Sequence, residues 1–396
     1  MPLTGQRSMN TDNTNTEDSV SIVTIESLFT KEEKATHVGL CKSIDRQVLE
    51  IPATLDELPE LKVLRGSQSE AKPKPVVHEA LRSYWKMEVR KCDRTWDDLV
   101  TSGNGPHMGT SVLSDSEAAN MDLVDKSTVF YSLETESDPK GIDLLVYWKR
   151  GFSIPFGAGM QNAILERIQG GITQLERSYP PPVPKPNDIR HKEKIKSLQQ
   201  KHGDSVGVYY FAWWYGIGQQ NASYPTLSSD MRGAGKRHEA VRAFIRSIAP
   251  LQQIIGILFL ATDPQAYATY FNNFRKTAAT TAWDIFATSR RACFHGLAVL
   301  RNLQVGRHKD KRDRKRGWTA MVCIGQFRQG FLVLPQLNLR VKFEPGDVIF
   351  FRASFLEHFL EEFEGERSAL VFFTHASVAN AIEQNIFSQD PPRSSE

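Results

Sequence analysis

In the last part of the chain His308, Asp310, His358 and Arg367 follow one another at spacings that suit metal chemistry. A single residue, Lys309, separates His308 from Asp310, so on an extended segment both side chains point to the same side. A histidine brought in by a later strand completes three ligands on one face of a metal. Two histidines and one carboxylate suit non-haem Fe(II) and leave positions open for a co-substrate and for oxygen. A rival His-x-Asp stands at His202-Gly203-Asp204. It precedes a single strand-like run and then a long helical stretch, with no arginine-bearing strand after a second histidine. It reads as a turn between a polar helix and a strand.

The elements that must position the first set are short apolar runs. Residues 319–324, 331–334, 339–343, 348–351, 356–360 and 368–373 are rich in Val, Ile, Leu and Phe, with Gly, Pro, Asn or Asp between most of them. Several short strands at this spacing suggest a barrel or jelly-roll sheet. Upstream, 142–148, 206–214 and 293–300 read as strands, and 79–100, 159–176, 188–200, 236–249 and 264–277 as helices. Pro250 ends or kinks the fourth of these. The run YPPPVPKPN at 179–187 makes a stiff, extended connection. The strand VGVYYFAWW at 206–214 is the most aromatic, and half of it should face a core.

The segments NLQVGRHKDKRD, GDVIFFRASFLEH and ERSALVFFTH, with a Pro345-Gly346-Asp347 turn among them, resemble the fungal TET/JBP-type nucleic-acid dioxygenases. These lie within the Fe(II)- and 2-oxoglutarate-dependent oxygenases, whose core is a double-stranded β-helix. The resemblance implies an α+β fold with a jelly-roll core braced by helices and preceded by an N-terminal extension. It implies that His308, Asp310 and His358 bind Fe(II), that Arg367 takes the distal carboxylate of 2-oxoglutarate, and that O2 is consumed. Asn302, just upstream, is a candidate contact to co-substrate or base, and Phe351 and Phe359 are candidate pocket walls. Many members carry a serine two residues after this arginine. Here that position is Ala369, and the adjacent Ser368 would face away from Arg367 on a strand. The implied activity is oxidation of methyl groups on modified DNA bases, which a duplex must flip out to present.

Charge points to the same partner. Net charge is only +3, so any nucleic-acid affinity must be local. Arg307, Lys309, Lys311, Arg312, Arg314, Lys315 and Arg316 crowd around the metal segment. Arg307, Lys311, Arg312, Arg314, Lys315 and Arg316 are therefore the DNA-binding candidates, facing phosphates with a steep salt dependence. A nuclear-localisation-like run is the competing reading. His238, Arg242 and Arg246 on the 236–249 helix form a second basic stripe.

At 396 residues the chain is long enough for two or three domains, or for one large catalytic domain with an appendage. Its 40% hydrophobic and 24% charged residues are ordinary for a globular protein. No apolar run reaches bilayer length, so no membrane partner is expected, and the first residues lack the apolar core of a signal peptide. Cys41, Cys92, Cys293 and Cys323 have no paired spacing, and a reducing compartment follows. Residues 1–20 are expected to be a disordered tail, 21–138 a mixed region of unassigned role, and 139–396 the dioxygenase domain with its supporting helices. The expected enzyme is nuclear and converts 5-methylcytosine to 5-hydroxymethylcytosine and further oxidised forms. An N6-methyladenine demethylase, a protein hydroxylase and a non-catalytic DNA-binding module are the alternatives.

Overall fold

The computed structural model describes residues 22–50, 76–101, 118–137, 141–185, 195–215, 225–278 and 289–384, with 139 and 190. Among the described residues, thirteen strands run in chain order: β1 Glu88–Lys91, β2 Asp122–Val124, β3 Thr128–Tyr131, β4 Asp143–Trp148, β5 Gly207–Trp214, β6 Thr226–Leu227, β7 Gly296–Arg301, β8 Thr319–Gln329, β9 Leu332–Leu334, β10 Leu339–Val341, β11 Val348–Phe351, β12 Phe359–Leu360 and β13 Phe363–Phe373. The principal helices are α1 Lys31–Glu50, α2 Val76–Trp85, α3 Ala158–Ser178, α4 Ile195–His202, α5 Gly235–Ser247, α6 Ala249–Thr262, α7 Pro264–Ala278 and α8 Ala376–Glu383.

The strands form a nine-stranded sheet, in the order β1-β3-β4-β11-β8-β13-β7-β5-β6, and a four-stranded one, β12-β9-β10-β2. The larger sheet is covered on both faces, which is why β11 is apolar at every position. Val348 and Phe350 face the helices, while Ile349 and Phe351 face the smaller sheet. Leu332, Leu334, Leu339 and Val341 of the smaller sheet close that second core. The arrangement is a jelly-roll core braced by helices, as the strand spacing predicts. α6 is buried along its length, and its Phe259 stacks on Phe350 at 5.4 Å. Among the described residues no single helix is long and apolar enough to cross a membrane.

Two expectations need correction. The boundary between 138 and 139 falls inside one sheet, because β3 before it pairs with β4 after it, and β2 joins the smaller sheet beside β10. α1 also belongs to the body: Cys41 donates to the Leu260 carbonyl, and Asp45 pairs with buried Arg291. The 79–100 helix stops at Trp85 and gives way to β1, whose parallel ladder with β3 from Glu88 to Lys91 overrides the helical period. As expected, the helix before Pro250 ends there: α5 stops at Ser247, Pro250 stands in the first turn of α6, and the two helices meet at 42°. Residues 1–20 lie outside the described residues.

Candidate metal centre and its cavity

His308 and His358 form an antiparallel bridge: each backbone N–H donates to the other's carbonyl, at 3.1 and 3.0 Å. That pairing sets the two rings side by side with centroids 4.2 Å apart. Asp310, two residues on, is fixed by its own N–H to the Ala353 carbonyl at 2.9 Å and returns to the same face. Its carboxylate oxygens lie 3.5 Å from His308 Nε2 and 3.7 Å from His358 Nε2. One ligand atom from each of the three lies within 4.8 Å of the others. Each histidine turns Nδ1 to a carbonyl two residues upstream, Gly306 for His308 (2.9 Å) and Leu356 for His358 (3.1 Å). With the proton held on Nδ1, both Nε2 lone pairs aim at a common point.

The electrostatics suit a cation. Burial, with His308 beside it, holds His358 down to about 4, so the imidazole stays neutral. Burial alone would raise Asp310, but His308, His358 and Arg190 beside it outweigh that and hold its carboxyl well below the usual range. A neutral imidazole at His358 and an ionised carboxylate at Asp310 are protonation states that suit a divalent metal.

Along β13 the side chains of Arg367, Ala369, Val371 and Phe373 line a cavity of about 990 Å³ that contains the three ligands. Arg367 is 4% exposed and has the rings of Phe327, Phe343 and Phe363 within 6.0 Å of its guanidinium carbon. Its Nε and one terminal nitrogen have no partner. A buried guanidinium with unmade hydrogen bonds demands an anion, and a carboxylate fits its fork. Together with the three ligands, this residue set fits Fe(II) and 2-oxoglutarate. Ser368 faces the other way and accepts from Arg301 at 2.9 Å, as strand alternation predicts.

Asn302 sits elsewhere than expected of a cofactor contact. Its side-chain oxygen accepts the Arg367 N–H at 2.9 Å, its own N–H donates to the Arg367 carbonyl at 2.8 Å, and its Nδ2 donates to the Ser205 carbonyl at 2.9 Å. Both polar ends are thus engaged with backbone, and the residue positions Arg367 without lining the cavity. Its φ of 47° is left-handed, a conformation asparagine tolerates better than most residues. Phe351 meets the His358 ring edge-on at 4.9 Å, and Phe359 also lines the cavity.

The far wall comes from the aromatic strand β5 and from two polar residues that spacing did not single out. Tyr210 and Trp214 on β5 face the cavity, and His375 stacks on Trp214 at 5.4 Å and 15°. His375 Nε2 lies 3.9 Å from Asp313 Oδ1, and the other Asp313 oxygen accepts from Thr319 at 2.9 Å. Burial and nearby Asp310 push Asp313 well up, while burial and Arg312 hold His375 down to about 4. Asp313 follows Asp310 by three residues, and His375 keeps the parity of Arg367 two residues past the end of β13. That parity is the one sequence signal that points to it.

The basic cluster divides. Arg307, Lys311 and Arg312 line the cavity, Arg307 already paired with Glu357 at 2.8 Å from Nε. Arg314 pairs with Glu383 at 2.8 Å, Arg316 lies over the Trp96 ring at 5.0 Å, and Lys315 donates to the Lys311 carbonyl at 3.3 Å. Those three are not cavity residues, and Arg314 and Arg316 hold the loop to α8 and to Trp96. Lys185 and Arg190 supply cations to the cavity from the strap before α4. His202 and Asp204 join no third ligand among the described residues.

Residues 215–376 match the family model Tet_JBP, the oxygenase domain of the 2OGFeDO superfamily. Among solved structures, NgTET1 in complex with 5mC DNA is similar at 13% identity, over 77% of this chain and 89% of that one, with a TM-score of 0.44. OsALKBH1 is similar at 13% identity over 58% of this chain and 96% of that one, with a TM-score of 0.29. A 2OG-Fe(II) oxygenase family oxidoreductase from Burkholderia pseudomallei is similar at 19% identity over 46% of this chain and 75% of that one, with a TM-score of 0.21. No curated protein matches the chain.

Proposed function

We propose that this Fe(II)- and 2-oxoglutarate-dependent dioxygenase, which carries a Tet/JBP oxygenase domain over residues 215–376, oxidises methyl groups on modified DNA bases. The preferred base is 5-methylcytosine, taken to 5-hydroxymethylcytosine and further oxidised forms. The observation that carries this reading is the polar pair Asp313 and His375, with His375 against the rings of Trp214 and Phe373, in the same cavity as the metal ligands.

Fe(II), 2-oxoglutarate and O2, when bound, supply an oxidant able to take hydrogen from a methyl group, with succinate and carbon dioxide as co-products. The protein's own part is to hold and orient. His308, Asp310 and His358 would present the metal on one side only, and Arg367 would pair with the distal carboxylate through its two unpartnered nitrogens. A base turned out of the duplex would lie against Trp214 or Phe373, where stacking is worth about 1–3 kcal/mol. The Asp313 oxygen that Thr319 does not take is an acceptor for an exocyclic amino group. In 5-methylcytosine the amino group stands next to the methyl carbon, so one acceptor near the metal can hold the first while the second faces the oxidant. In N6-methyladenine the methyl sits on the amino nitrogen and competes with that contact. The cavity volume of about 990 Å³ leaves room for a purine, which keeps N6-methyladenine as the second reading. A chromosomal substrate puts the enzyme in the nucleus.

Mass spectrometry of nucleosides tests this, using duplex DNA that carries both methylated bases, incubated with Fe(II) and 2-oxoglutarate. The expected result is oxidised cytosine with adenine methylation intact. Loss of the adenine methyl alone would transfer the assignment to the second reading.

A further inference from the structure

We propose that Val183 is the wedge that fills the space a base leaves when it turns out of the duplex into the cavity. The inference rests on the DNA reading above. Of the exposed large apolar side chains among the described residues, Val183, 49% exposed, alone borders the cavity. Its neighbours Pro181 and Pro184 are buried, so the chain is anchored on both sides while the valine points out.

The strap that carries it is held at several points. The Pro182 carbonyl accepts from Val208 N–H at 2.9 Å. A Cβ on Gly207 would come within 2.5 Å of that carbonyl oxygen, so the strap lies directly on the backbone of β5. The Tyr179 ring lies under the Arg237 guanidinium at 3.8 Å, and its hydroxyl donates to Asp230 at 2.7 Å. Farther on, the Arg190 carbonyl accepts from Gly306 N–H at 2.8 Å, tying this side of the cavity to the metal loop.

A wedge must be apolar, stiff and already outside the core, because prising a base step apart costs a few kcal/mol. Prolines fix the backbone here, and the β-branched valine has little rotamer freedom to lose. Lys185 and Arg190 stand on the same side, and Lys311 and Arg312 on the metal loop. A duplex across the mouth would meet cations on both flanks, with Val183 under its stacked bases.

The test compares kcat/KM on single-stranded and duplex oligonucleotides carrying one 5-methylcytosine, for the wild type, Val183→Ser and Val183→Leu. The serine variant is expected to lower the duplex to single-strand ratio about tenfold, and leucine to preserve it. Placing the target opposite a mismatch, where the base is already loosened, should restore the ratio for serine. An unchanged ratio in Val183→Ser, with the wild type active, overturns the wedge and leaves the DNA reading standing. A wild type that oxidises neither these oligonucleotides nor the same ones carrying N6-methyladenine overturns the DNA reading and the wedge with it.

Discussion

Arg367 is a buried cation that lines the cavity with two of its nitrogens unpartnered. A lysine there keeps the charge but offers no fork. Arg367→Lys is therefore expected to raise the KM for 2-oxoglutarate about tenfold or more, since a charge-assisted hydrogen bond is worth about 1.5–3 kcal/mol. An unchanged KM in steady-state kinetics would remove the arginine from that role. Asp310→Ala should abolish iron binding and turnover without unfolding the chain, because the hydrogen bond that fixes this position to Ala353 is backbone to backbone. Iron content by elemental analysis, beside a thermal melt, separates the two effects. These four residues were legible in the sequence because two lie within one extended segment and the others close its strands. Asp313 and His375 were not, since stacking on Trp214 joins residues more than a hundred positions apart.

At the level of elements, β7 and β13 are locked where Asn302 caps the Arg367 peptide on both sides. Asn302→Ala should cost about 1–3 kcal/mol, the penalty of leaving a buried N–H unmet, and raise the 2-oxoglutarate KM less than Arg367→Lys does. Denaturant midpoints and KM measured together check this, and a variant with wild-type values in both would remove the positioning role. Sequence reasoning located most of the strands of both sheets because buried strands read as continuous apolar runs. It shortened β8 and β13, whose outer ends are exposed and polar, and it missed α1, whose partly polar sequence contributes Cys41, Ile44 and Val48 to the core.

For the whole molecule, the domain boundary was illegible because short β-strands with few apolar residues gain their place only by pairing, β1 with β3 forty positions on and β2 with β10 more than two hundred positions on. The divided basic cluster makes a prediction at this scale. Replacing Lys311 and Arg312 with alanine should flatten the salt dependence of duplex binding by about two counterions. Arg314→Ala and Arg316→Ala should leave the slope alone and lower stability. Acid sensitivity is a second consequence. Burial holds His295 down to about 3 from its ordinary 6.5, so between those values the unfolded chain takes a proton that the fold refuses. Stability should fall as pH drops through that window, by up to about 1.4 kcal/mol per unit. His295→Gln should lessen the slope of urea midpoints against pH by that amount. The central claim, that this cavity couples 2-oxoglutarate consumption to oxidation of a base methyl, is tested most directly by the ratio of succinate formed to methyl oxidised on a duplex carrying 5-methylcytosine. The account predicts one succinate per oxidation step and none of either product from Asp310→Ala. Succinate released at the same rate with unmethylated DNA, and no base altered, would contradict it.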